Sequence, residues 1–286
     1  MGAKKTDVKF SNVTKKIIAY RMTPMVVCAF LVVFIAKYLM IMEEIKVCLI
    51  FGIFAIGIFV FLEGEKRIEK LKEKCNRLYE TELTKMLHYP HYESNRGFKD
   101  IEVATFGIIK LGNIYYSNNY FQGIYKGVSI RQADVVIHKE DIEYNLGEVT
   151  KYFDGRMYEF RSKKITDENV KIFSKGYESW LSIKDDRVDI DNLLFNDNFD
   201  VFSPKPSEAQ ALLTNELIEH LLILQNRNRS IGFRFGEGRV IVAINGTRPF
   251  DIEGMDMMNY AEKMDIIKAE IQIAIDLVEG LGLGNE

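Results

Sequence analysis

Two nearly continuous apolar runs, Met25 to Met42 and Val47 to Leu62, stand apart from the rest of the chain, separated only by Glu43, Glu44, Ile45 and Lys46. About 20 apolar residues rising 1.5 Å each cross the hydrocarbon core of a bilayer. The pattern therefore predicts two spans, at about 24–42 and 45–62, and the short link makes them an antiparallel transmembrane hairpin. Lys37 lies five residues from the end of the first run, where its stem carries the ammonium toward the headgroups. Lys4, Lys5, Lys9, Lys15, Lys16 and Arg21 precede the runs, and Lys66, Arg67, Lys70, Lys72, Lys74 and Arg77 follow them, against one lysine in the link. That asymmetry predicts an inner-membrane protein with both termini cytoplasmic. No small-residue cleavage site follows the first run, which argues against a signal peptide.

Beyond the hairpin the hydrophobic period changes. Ile68, Leu71, Cys75 and Leu78 fall at helical spacing, so 63–95 reads as a charged juxtamembrane helix, ended at the His88–Tyr92 turn by Pro90. A β-rich region then begins at Ile101, with strands at Tyr120–Tyr125 and Val128–Ile137 around Lys126-Gly127, then Phe153–Arg161 and Val170–Ser174. Partial alternation of apolar and polar residues marks an antiparallel sheet with one wet face. Ser207 and Gln210 read as a capping box for one helix with its apolar face at Ala209, Leu212, Leu213, Leu217, Leu221 and Leu224. Ile231–Phe235 and Arg239–Ile244 form a hairpin across the three residues Gly236 to Gly238. A closing helix at about 256–279 turns Met264, Ile267, Ile271, Ile275 and Val278 inward and stops at Gly280. The expected fold is a membrane-anchored α+β chain: leader and hairpin over 1–62, juxtamembrane helix over 63–95, and over 96–286 a cytosolic domain of antiparallel sheet with covering helices.

Charge alters this picture only near the membrane. The net charge of -3 hides a basic first 80 residues, suited to anionic headgroups, and no basic stripe with interleaved aromatics points to nucleic acid. Cys28, Cys48 and Cys75 have no paired spacing and read as free thiols. His88 and His91 flank a proline without a third ligand, and the acidic connector 184–200 lacks the glycine and third ligand position of a calcium loop, so no metal is expected. Gly236-Glu-Gly238 joins two strands and opens no helix, which excludes a phosphate loop. No catalytic residue and no cofactor emerges.

Phe199 to Ser203, Glu208-Ala209, Leu212 to Thr214, Phe233 to Phe235, Pro249-Phe250 and the closing helix together resemble the bacterial two-span membrane proteins of domain-of-unknown-function family 3137, as does Phe153-x-Gly155. The resemblance implies the fold and the membrane placement, and supplies no activity. Phe202, where the family more usually has tyrosine, and Pro204 to Pro206, in place of a more polar link, depart from it. The expected function is a membrane-tethered binding or scaffolding module with a protein partner of unknown identity. Its candidate surface is the strand-to-helix junction Phe199, Phe202, Ser203, Lys205 and Ser207. The alternative is an enzyme acting on a membrane-proximal substrate through residues that converge only in three dimensions.

Overall fold

The computed structural model describes residues 26–34, 43–140, 149–165, 169–176, 186–227, 230–246 and 260–284. The chain divides into two compact units, Met1–Leu78 with Asp251–Met264, and Tyr79–Phe250 with Asp265–Glu286.

In the first unit, residues 26–34 form helix α1, and helix α2 begins at Glu43 and continues without interruption to Met86. Large apolar side chains on both helices stand exposed, among them Phe30, Phe51, Phe54 and Phe59. The helices touch: a Cβ on Gly57 would lie 3.3 Å from Sγ of Cys28. Among the described residues no helix is long and apolar enough to cross a membrane. The spans expected at 24–42 and 45–62 are thus not shown by the fold, and residues 35–42 of the first lie outside the described residues.

The second unit is an α+β structure around a nine-stranded sheet in the order β1-β2-β3-β4-β9-β8-β5-β7-β6, every pairing antiparallel. The strands are β1 His88–Glu93, β2 Ile114–Tyr125, β3 Val128–Glu140, β4 Val149–Arg161, β5 Val170–Ser174, β6 Arg187–Val188, β7 Phe199–Phe202, β8 Ile231–Gly236 and β9 Arg239–Asn245. Two hairpins hold the register. Lys126-Gly127 and Glu237-Gly238 carry φ of 46° and 78°, and of 58° and 65°, the doubly positive φ that matches strand twist in two-residue turns. The second connection is therefore one residue shorter than expected, with Gly236 ending β8.

One face of the sheet packs Ala133, Val135, Ile137, Phe153, Met157 and Ile241 against Val103 and Phe106 of α3, Asp100–Phe106. The other face meets helix α7, Tyr260–Gly280, through Glu270, and α7 in turn is tied to α6, Asn215–Arg227, by the pair Arg227–Asp276 at 3.3 Å. The expectation of one wet face fails: β4 is buried on both sides from Phe153 to Phe160. Close approach of β4 and β9 depends on Gly155, where an added Cβ would stand 2.1 Å from the Ile244 carbonyl oxygen and 2.9 Å from Asn245 Cα. Gly155→Ala should cost roughly 1–3 kcal/mol in chemical denaturation of the full chain, because only backbone movement relieves the overlap.

Several local readings change. His88–Glu93 is an edge strand rather than a turn, and an edge tolerates Pro90 because the missing N–H costs no ladder bond there. Ile101 to Phe106 is helical despite its β-branched residues, since the Glu102 carboxylate accepts the Lys99 N–H at 2.9 Å and Asp100 and Glu102 sit in the first turn. The acidic connector folds into β6 and the short helix α4, Leu193–Asn198, capped by Asn192. Helix α5, Pro206–Leu212, is separate from α6, because the Thr214 hydroxyl accepts the Leu217 N–H at 3.3 Å and starts a new helix. Ile218, Leu221 and Leu224 then face inward, in place of a stripe through Leu217.

Candidate functional site

The central strands β3 and β4 bring chemistry together that is dispersed in sequence. Asp134 lies directly opposite Arg156 in the register, and both side chains are 2% exposed. Arg156 Nε donates to Asp134 Oδ1 at 2.8 Å, and its Nη2 donates to Glu270 Oε1 of α7 at 3.3 Å. The hydroxyl of Tyr79, near the end of α2, donates to Glu270 Oε2 at 3.1 Å. Asn119 Nδ2 donates to Asp134 Oδ2 at 2.8 Å, and Tyr92 of β1 donates to Asn119 Oδ1 at 3.3 Å. Tyr92 and Tyr79 stack with centroids 4.1 Å apart, which closes the circuit.

Local backbone geometry explains how each member is aimed. Asn119 has φ of 53° within the irregular stretch of β2 between Asn118 and Phe121, a left-handed position that asparagine tolerates and that displaces its side chain from normal alternation. Arg156 and Asp134 share the sheet face that receives α7. Glu270 sits one residue before Ile271 on the inward side of that helix.

The circuit carries one guanidinium and two carboxylates in a dry site. Burial pushes the Glu270 carboxyl up to about 7, Arg156 opposes this and the Asp134 carboxylate reinforces it. Burial alone lowers the Arg156 proton affinity, but Asp134 and Glu270 outweigh it and hold the guanidinium above its ordinary range. Burial and then Glu270 raise the Tyr79 phenol. Arg156 Nη1 and both side-chain polar atoms of Gln132 are buried without hydrogen-bond partners, and Gln132 stands opposite Tyr158 on the same face. Chemically, this sealed arrangement orients elements and stores a proton. It ties the end of α2, the edge strand, the irregular stretch of β2, the central strands and α7 to one cation.

No titratable cluster of this kind lines the surface depression bordered by Glu82, Met86, Lys268, Ala269 and Gln272. Among the described residues no group of three histidine, cysteine, aspartate or glutamate side chains is placed to hold a metal. His91 instead meets Glu93 at 2.6 Å, and neither Cys28 nor Cys75 is in a disulfide.

The junction expected from sequence divides by burial. Phe199 is buried and stacks on Phe195 at 5.0 Å, and Phe202, half-buried, packs near Phe173 at 6.1 Å. Ser203 is buried, accepting the Lys205 N–H at 3.2 Å and donating to the Lys205 carbonyl at 3.0 Å. Lys205 and Ser207 reach solvent, Lys205 paired with Glu208 at 2.7 Å. The expected cap at Ser207 is corrected: α5 starts at Pro206, whose fixed φ suits a first helical position, so Lys205 is the N-cap residue and makes no side-chain cap bond. Ser207→Ala should change stability by less than about 0.5 kcal/mol, whereas Ser203→Ala should cost about 1 kcal/mol, as read from paired thermal melts.

Sequence reasoning missed Arg156, Asp134 and Glu270. A glutamate inside the stripe Met264, Ile267, Ile271 and Ile275, and Asp154 and Arg156 between Phe153 and Met157, were the available signals. Among solved structures the chain is similar to one described as "crystal structure of the mycobacterial trehalose monomycolate transport factor A, TtfA", at 13% identity and TM-score 0.40, over 74% of this chain and 96% of that one. None of the curated proteins matches it. The segment from β4 to the end of α7, which contains Phe153, Gly155, Arg156, the Phe199–Thr214 block and Glu270, matches over residues 151–283 the model of the family described as "Protein of unknown function (DUF3137)".

Proposed function

We propose that this protein is a membrane-tethered binding or scaffolding module, anchored through a two-helix hairpin at about 24–42 and 45–62, with both termini in the cytoplasm. The observation that carries the reading is the exposed apolar surface of α1 and α2. Phe30 is 73% exposed, Phe51 71% and Phe59 68%, and Ile56, Ile58 and Leu62 stand open among them. A helix apolar on all sides is stable when lipid or protein surrounds it. The Gly57 and Cys28 approach is the small-residue contact by which antiparallel membrane helices pack. Basic residues flanking the runs suit anionic headgroups.

The binding half of the reading draws support from the strongly displaced proton equilibria of Glu270, Arg156 and Tyr79, which are sealed inside the second unit and serve its architecture. Of the sequence-derived surface, Lys205 and Ser207 are the parts a partner reaches. Reporter fusions at residue 44 and at the C-terminus, together with alkaline extraction of membranes, test the anchor. The expected result is an extraction-resistant protein with residue 44 external and the C-terminus cytoplasmic. Release by alkali, or an external C-terminus, overturns it.

A further inference from the structure

The buried circuit continues along the sheet as a patch of polar atoms that the protein itself does not satisfy. Gln132 pairs opposite Tyr158, and Asp134 opposite Arg156, as successive pairs on one face of β3 and β4. Side chains directly opposed in this way stand about 4.5–5.5 Å apart at Cβ, so the four form one contiguous square. Gln132 is 1% exposed, Arg156 1% and Tyr158 0%. Asp134 and Glu270 occupy Nε and Nη2 of Arg156. Its Nη1, both polar atoms of Gln132 and the Tyr158 hydroxyl are buried without hydrogen-bond partners among the described residues. The phenol nonetheless lies within reach of the circuit: burial raises it, Arg156 opposes the rise, and Glu270 and Asp134 add to it.

The walls of this patch supply nothing polar. On β2 the neighbour of Gln132 is Phe121, on β9 the neighbour of Tyr158 is Val242, and the next pair on the same face, Ile130 with Phe160, is apolar too. All four are fully buried, and the Tyr158 ring stacks on Phe160 at 5.9 Å. The orphaned atoms therefore call for a ligand that both donates and accepts. An anion gains little, because Arg156 is already offset by Asp134 and Glu270, and a cation would face the Nη1 hydrogens. A water makes about three hydrogen bonds to buried polar groups of this kind. It can accept from Arg156 Nη1 while donating to the Gln132 amide oxygen and the Tyr158 hydroxyl.

We infer that Gln132, Arg156 and Tyr158 form a binding site for at least one enclosed water, held with the circuit and cut off from bulk solvent. Tyr158→Phe tests it, because the sign of its effect depends on whether the hydroxyl is bonded. Removing a hydroxyl that bonds a water costs stability, whereas removing an unsatisfied one relieves a desolvation penalty. The full chain in non-ionic detergent is followed by urea unfolding and by magnetic relaxation dispersion of water oxygen, which counts waters resident for longer than molecular tumbling. The expected result is a lower urea midpoint for Tyr158→Phe and at least one long-lived water fewer than in the parent. Gln132→Met, which keeps the side-chain length and loses both polar ends, should show the same drop in count. A midpoint unchanged or raised in Tyr158→Phe, or a full count retained by Tyr158→Phe or by folded Gln132→Met, overturns the site.

Discussion

Replacing Arg156 by methionine should destabilise the second unit by about 3–5 kcal/mol, the cost of leaving a buried carboxylate uncompensated when its cation is removed. The side chain is 2% exposed, as are those of Asp134 and Glu270, so water cannot replace the lost partner. Methionine approximates the volume of the arginine stem, which keeps a cavity from accounting for the loss. Replacing all three members together, with Asp134→Asn and Glu270→Gln added to Arg156→Met, should recover much of that stability, because no net charge then stays buried. Urea titration of the full chain in detergent, followed by tryptophan fluorescence, distinguishes the cases. A single variant within about 1 kcal/mol of the parent would show that the circuit is hydrated in solution.

Stability should also fall as pH rises toward neutrality. Glu270 titrates at about 7 in the fold against an ordinary value of 4.5, so the folded state holds a proton that the unfolded state gives up. The contribution is fully present below about pH 4.5 and is lost as pH rises through about 7. At 1.36 kcal/mol per unit the full span is roughly 3 kcal/mol. Glu270→Gln keeps a hydrogen-bonding side chain without the titration, and should flatten the pH dependence between 5 and 8, within about the limits set by other groups. A parent whose melting temperature rises over that range, after subtraction of the variant's profile, would contradict the assignment.

Local patterns were legible wherever neighbours in sequence decide the outcome. The Lys126-Gly127 turn, the hairpin of β8 and β9, the strand Phe153–Arg161 and the closing helix follow from turn chemistry and period. Errors arose where tertiary pairing overrode propensity. Pro90 argued for a turn, yet β1 pairs with β2 because an edge position needs no N–H from proline. Alternation in β4 argued for a wet face, yet Asp154, Arg156 and Tyr158 are buried, since α7 covers the side they occupy. Ser207 reads as a cap only if the helix begins at Glu208, two residues after its true start at Pro206, and Thr214 reads as helix interior although its hydroxyl begins α6.

Composition and periodicity determined that this chain has two apolar runs near its N-terminus and an antiparallel α+β domain after them, because burial of apolar faces depends on spacing that any window of sequence displays. The buried cation and its two carboxylates were settled only by register and packing: Arg156 meets Asp134 across 22 positions and Glu270 across 114. Over such separations nothing in the local pattern distinguishes a surface charge from a core one. The distinction arises when the sheet and α7 close over Arg156 and leave charge compensation as the cheapest solution.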